Sequence, residues 1–223
     1  MSGLLIIMEG LDGSGKATQS KLLVQVLEQQ GKNVRTVSFP NYKSQASIPA
    51  QMYLNGEFGT RPEDVNAYAA STFYAIDRYA SYKIEWQEFY ESGGIIVADR
   101  YTTSNAIHQC GKLPQSEWDD YLNWLFSFEY DKLTIPAPNL VVYLDMSVDV
   151  SQNLMSKRYD GHNEKKDIHE RDKAHLEKSR AAAHYCAEKF GWETVLCDDG
   201  KKAYPIESIA EAVLEKVQAF LNI

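Results

Sequence analysis

The chain has 223 residues and a formal net charge of −8. Hydrophobic residues make up 44% and charged residues 24%. This is the balance of a globular chain that buries its own core, not of a fibrous or disordered one. An acidic chain lacks the broad basic surface of a nucleic-acid coat or an anionic-membrane binder, and no apolar run nears the ~20 residues of a membrane-spanning helix. Neither nucleic acid nor membrane is expected as a partner.

The opening Met1-Ser2-Gly3-Leu4-Leu5-Ile6-Ile7-Met8-Glu9 has no basic segment, so no secretory signal is expected. Cys110, Cys186 and Cys197 show no metal-binding spacing and suit a reducing, cytoplasmic setting. Neither a repeat nor a low-complexity linker interrupts the chain, which reads as a single domain over residues 1–223.

Short runs rich in Val, Ile and Leu alternate with longer amphipathic stretches, the pattern of an α/β fold whose parallel sheet is covered on both faces. The first run predicts a strand over Leu4–Glu9. It leads into Glu9-Gly10-Leu11-Asp12-Gly13-Ser14-Gly15-Lys16-Ala17-Thr18, and a helix follows over Lys16–Gln30, closed by Gly31. Strand, glycine-rich turn and helix in that order are the context of a phosphate-binding loop. The glycines let successive N–H groups converge on an anion, and the helix start adds a partial positive charge. Gly10, Asp12, Gly13, Ser14, Gly15, Lys16, Ala17 and Thr18 are therefore candidate contacts to nucleotide phosphates. The hydroxyl that usually follows the loop lysine and ligates Mg²⁺ is missing at Ala17. Thr18 is turned ~100° further around the helix and does not simply replace it.

The next predicted strand is Val34–Phe39, followed by a long helical stretch over Pro62–Ser92 and a strand over Ile95–Asp99 that ends in Asp99-Arg100. Ligands of open α/β sheets sit at the carboxyl ends of strands. Asp99 is thus expected near the loop, where a carboxylate can hold a metal through water, and Arg100 is expected to fork onto phosphate oxygens. Then come a helix over Gln115–Phe128, a strand over Leu140–Asp145, a helix over Ser147–Lys157, a helix over Arg171–Phe190, a strand over Glu193–Cys197 and a helix over Pro205–Leu221. Between the helices lies the polar stretch Lys157–Lys166, read either as a solvated loop or as a mobile lid carrying cations to a phosphate. His162, His169, His175 and His184 show no paired ligand spacing, so no zinc site is expected.

Several segments together resemble the thymidylate kinases, which are P-loop nucleoside monophosphate kinases. They are Glu9–Lys16, Phe39-Pro40-Asn41-Tyr42, Tyr53-Leu54-Asn55-Gly56-Glu57, Phe73 with Asp77-Arg78-Tyr79, Asp99-Arg100-Tyr101 with Ser104-Asn105, and Asp167-Ile168-His169-Glu170. The resemblance implies a three-layer P-loop NTPase fold, with a five-stranded parallel sheet flanked by helices and a lid near 157–170. It implies transfer of a phosphoryl group from ATP to dTMP, giving dTDP for dTTP synthesis, with Mg²⁺ as cofactor and a homodimer as the assembly.

Carried over by position, it implies that Lys16 and the loop amides hold ATP, and that Asp12 lies near the acceptor's sugar and phosphate, binding the 3′-hydroxyl or supporting the metal. Phe39 and Tyr42 would line the acceptor side, Phe73 stack on thymine, Arg78 bond its carbonyl edge, Arg100 grip the acceptor phosphate, and Ser104 and Asn105 read the base. Family members often carry an aromatic ring where His108 stands, against the sugar. Asp167 and Glu170 would approach the acceptor, and Asp99 would hold the metal through water. Some members carry a catalytic Arg inside the loop. Gly13 leaves none here, which makes Arg158 of the lid the candidate cation for the transferring phosphoryl group, with Lys157, Lys165 and Lys166 behind it. Two other readings stay open on the sequence: a kinase for deoxynucleosides or for another pyrimidine monophosphate, and a catalytically silent nucleotide-binding regulator, which Ala17 motivates.

Overall fold

The structure, a computed structural model, describes residues 3–158 and 167–222. Five parallel strands form one sheet in the order β2-β3-β1-β4-β5. The strands are β1 (Leu4–Gly10), β2 (Val34–Ser38), β3 (Ile95–Asp99), β4 (Leu140–Asp145) and β5 (Glu193–Leu196). All five predicted strands are present to within a residue or two at their ends. They are legible because a strand buried on both faces reads as an unbroken apolar run. In β1, Leu5 and Ile7 enter one core while Ile6 and Met8 enter the other. β3 divides the same way, with Ile95 and Val97 opposite Ile96 and Ala98.

One face of the sheet is covered by α1 (Lys16–Gln29), through Leu23 and Leu27, and by the C-terminal helix, through Ile209, Val213 and Val217. The other helices in chain order are α2 (Ile48–Leu54), α3 (Ala67–Ser81), α4 (Gln87–Glu91), α5 (Thr102–Cys110), α6 (Trp118–Phe126), α7 (Val148–Arg158), α8 (Ile168–Arg171) and α9 (Lys173–Phe190). The C-terminal helix, Ile206–Leu221, is α10. Register places Met8 opposite Asp99 and Gly10 opposite Leu144, so the ends of β1 and β3 open side by side.

Where the structure departs from the predicted helices, side-chain caps and burial explain it. The stretch Pro62–Ser92 is not one helix. A short turn at Pro62–Asp64 stops before Asn66, whose side chain accepts from the Ala69 amide at 2.8 Å and starts α3. A π-helical turn over Tyr82–Trp86 then joins α3 to α4. A second π-helical turn, Ser127–Lys132, extends the helix predicted to end at Phe128. The predicted Arg171–Phe190 helix is α9, starting two residues later, and the short α8 before it was not predicted. Asp167 caps α8 with a reciprocal bond to Glu170, and Asp172 restarts the chain as α9. α5 shows no apolar stripe because every one of its nine residues is buried, and α2 is too short to show a periodicity. Of the proposed lid, residues 159–166 lie outside the described residues.

Leu27, fully buried in the core under α1, and Leu196, 63% exposed on the edge strand β5, predict different costs of truncation. Leu27→Ala should cost about 2–5 kcal/mol and Leu196→Ala less than about 0.5 kcal/mol, read from denaturant unfolding midpoints.

Candidate active site

The loop between β1 and α1 is built for an anion. Gly10 has φ +154°, and a Cβ there would lie 2.8 Å from the Leu144 carbonyl oxygen. Gly13 has φ +83°, and its Cβ would lie 2.8 Å from the Ser151 carbonyl oxygen on α7. No side chain fits at 13, which accounts for the loop lacking an arginine of its own. α1 starts at Gly15 with no side-chain cap and no acidic residue in its first turn, so its N–H groups remain open to a ligand. Lys16 is buried, and its Nζ donates to the carbonyls of Gly10 and Leu11, both at 2.9 Å. Burial, together with the positive charge of Arg100, lowers its pKa.

Beside the loop, Arg100 follows β3 with φ 69°, a strained backbone for an arginine. Its guanidinium pairs with Asp12, lies 3.9 Å from Glu9, and donates to Ser104 Oγ at 3.3 Å; Nη1 also lies 3.2 Å from His108 Nε2. Burial opposes the charge on Asp12, but Arg100 and Lys16 overcome it and hold the carboxyl well below the usual range. Glu9 is fully buried and accepts from the Gly10 amide at 2.9 Å, from Thr103 Oγ1 at 2.7 Å and from Ser104 Oγ at 2.9 Å. It anchors the start of α5 to the loop.

Two adjoining clefts result. One is lined by Gly13, Gly15, Lys16, Ala17, Thr18, Tyr42 and Asp99. The second is walled by Phe39, Tyr74, Arg78, Ser104, Asn105 and His108. Asp12 and Arg100 belong to both. Ser14 is buried behind the loop, and its Oγ has no partner among the described residues.

Of the predicted acceptor set, Asp12, Phe39, Arg78, Arg100, Ser104, Asn105 and His108 line the second cleft, Tyr42 lines the first, and Phe73, Asp167 and Glu170 line neither. The Phe73 ring packs 5.4 Å from Phe58 and 6.3 Å from Tyr53. Tyr74 takes the place expected of it, because residues four apart share a helix face and Arg78 is four residues beyond Tyr74, not Phe73. Arg78 is buried, with Nε and Nη2 bonded to Glu129 at 2.7 and 2.5 Å and Nη1 3.4 Å from the Tyr101 carbonyl. Ser104 is committed to Glu9, and Asn105 Nδ2 donates to the Ser71 carbonyl at 3.3 Å.

Asp167 accepts the amides of His169 and Glu170 at 2.8 Å, and Glu170 Oε2 accepts the Asp167 amide at 3.1 Å. These two acids cap α8 and set His169 into the cleft wall. Burial, with Asp12 and Glu170 nearby, raises Asp167 to about 7. Arg158 ends α7.

Sequence reasoning missed Glu129, Tyr74, His169 and Gln109 as parts of the site. Glu129 carried a signal, an acid set between aromatic residues in Phe128-Glu129-Tyr130. The others carried none apart from the fold.

A family model described as thymidylate kinase matches residues 8–203. The chain belongs to the thymidylate kinase family. It is 31% identical over 149 residues to the thymidylate kinase of Mycobacterium tuberculosis, covering 66% of this chain and 68% of that one. It is 30% identical over 153 residues to a probable thymidylate kinase of Pyrococcus abyssi, covering 68% and 69% respectively. The solved thymidylate kinase of Candida albicans shares the fold, with a TM-score of 0.73 at 19% identity over 99% of this chain and 93% of that one. As a member of this family the chain is an ATP-binding kinase, and among the described residues no helix is long and apolar enough to cross a membrane.

Arg78 and Glu129 form a buried pair at 2.5 Å. Removing one partner strands the other charge, so Glu129→Ala should cost about 3–5 kcal/mol, read by urea unfolding.

Proposed function

We propose that the chain transfers the terminal phosphoryl group of ATP to the phosphate of dTMP, releasing dTDP and ADP and feeding dTTP synthesis. The observation that carries this reading is the guanidinium of Arg100, which stands where the phosphate-loop cleft and the aromatic cleft meet. ATP phosphates lie on the amides of Gly10–Lys16, with Lys16 turning from two carbonyl oxygens to the anion. The acceptor phosphate bonds Arg100, thymine stacks on Tyr74, and the Arg78 guanidinium, steadied by Glu129, presents a donor to a base carbonyl. His108 and Phe39 close the sugar side, and Tyr42 lines the phosphate-loop cleft beside it.

The acceptor phosphate is already a nucleophile at neutral pH, so alignment and charge neutralisation are the protein's work, and no general base is required. Arg158, from the end of α7, is the cation proposed for the transferring group. The residues present fit Mg²⁺. Ala17 offers no ligand, but Asp99 Oδ1 is buried beside the loop without a hydrogen-bond partner among the described residues. Asp99 would hold the ion through water, and Mg²⁺ when bound neutralises charge on the phosphates.

The assembly proposed is a homodimer. Ile76, Tyr79 and Ile84 are 51%, 41% and 82% exposed along α3 and the turn after it, an apolar stripe that a second copy would cover.

ADP release should be fast with dTMP and slow with thymidine, dUMP and CMP; phosphorylation of thymidine alone would refute the reading. Arg100→Ala should lower kcat/KM for dTMP about 10²–10³-fold. Tyr74→Ala should raise KM for dTMP more than Phe73→Ala does. Ile84→Glu should shift the chain to monomer in sedimentation, with its circular dichroism unchanged.

A further inference from the structure

Beneath the aromatic cleft three helices converge on three imidazoles: His108 from α5, His169 from α8 and His175 from α9. All three residues are buried, at 5%, 4% and 1% exposure. One ring nitrogen of each lies within 4.8 Å of the other two. Nδ1 of His108 and Nδ1 of His175 are buried with no hydrogen-bond partner among the described residues. Native folds rarely leave such atoms unsatisfied without a ligand to meet them.

We infer that His108, His169 and His175 form a binding site for one divalent transition-metal ion of the Zn²⁺ class, with a fourth position open to the cleft. The donor set decides the class. Imidazole nitrogen suits Zn²⁺ and its neighbours, whereas Mg²⁺ takes oxygen. A tetrahedral ion with Zn–N bonds of about 2.0–2.1 Å sets its nitrogens about 3.4 Å apart, so the rings close by roughly an ångström on binding.

The surroundings orient the rings as ligands require. His169 Nε2 lies 2.8 Å from Tyr53 Oη. That hydroxyl accepts from Lys112 Nζ at 2.7 Å and donates to the Pro62 carbonyl at 3.2 Å. It can therefore also accept the Nε2 proton, which leaves the His169 Nδ1 lone pair for the ion. His175 Nε2 faces Ser179 Oγ at 3.5 Å, which leaves its orphaned Nδ1 for the metal. His108 is the ring that must change. Its Nε2 lies 3.2 Å from Arg100 Nη1, and ligation through Nδ1 requires that contact to open. Arg100 keeps Asp12 and Glu9 as partners when it does.

The site ties α5, α8 and α9 together, and it was invisible in the sequence. His169 and His175 are six residues apart and His108 lies more than sixty residues earlier, so no local spacing announces it. The expectation of no zinc site, which rested on spacing, gives way to this proposal.

The test is direct metal binding by the full chain, stripped with chelator and free of nucleotide. Titration with Co²⁺ and Zn²⁺ should saturate at one ion per chain. Cobalt should show d–d absorption without a sulfur-to-metal band, X-ray absorption should show a nitrogen and oxygen shell, and Zn²⁺ should raise the melting temperature. His175→Gln should weaken binding at least tenfold while the circular dichroism and ATP affinity hold. Failure of the wild-type chain to bind would overturn the proposal. So would a sulfur ligand, which would point to Cys110, Cys186 or Cys197, or equal affinity in a folded His175→Gln variant. If that variant does not fold, the absorption spectrum of the wild-type chain decides.

Discussion

Arg100 leaves the end of β3 in a backbone conformation that few non-glycine residues adopt, and its guanidinium meets Asp12 of the phosphate loop and approaches Glu9 of β1. A partly buried cation so placed is best neutralised, and the two carboxylates come from the adjacent strand and the loop it feeds. That requirement fixes the position of the loop relative to β3. It also fixes α5, since Glu9 reaches Thr103 and Ser104 at the start of that helix. The two clefts are then consequences of one charge arrangement, and both share Asp12 and Arg100.

The second cleft repeats the logic one layer out. Arg78 is held by Glu129, which in turn accepts from Thr102 Oγ1 at 2.8 Å. Glu129 sits in a π-helical turn, and Arg78 stands one turn before the other such segment. Such turns shift side chains out of regular register and recur at functional sites. The wall that faces a planar ligand therefore rests on fully buried charge, which gives it little freedom to move.

The sheet was readable before the structure because buried parallel strands leave continuous apolar runs, and the loop was readable because its glycines and Lys16 are consecutive. Helix boundaries were less so. Asn66, Asp167 and Asp172 each start a helix through a side-chain bond to a backbone amide, and in sequence an Asp or Asn that caps looks like one that is merely solvated. Phe73 and Tyr74 are adjacent aromatics, and which of them faces the cleft depends on the rotation of α3, fixed by its packing and by the 2.7 Å bond from the Asn41 amide to Asp77.

By itself the sequence determined the order of strand, loop and helix, the run of glycines and Lys16 within residues 10–18, and the presence of Asp99 and Arg100 at a strand end. These are local properties, set by residues next to one another in the chain. Tertiary structure alone decided which carboxylate neutralises which guanidinium, which aromatic ring enters the cleft, and that three histidines distant in the chain bring ring nitrogens within 4.8 Å of one another. Each of those depends on how helices far apart in the chain pack over one sheet, and the free energy of burying a charge or an imidazole is set by neighbours that the chain order does not name.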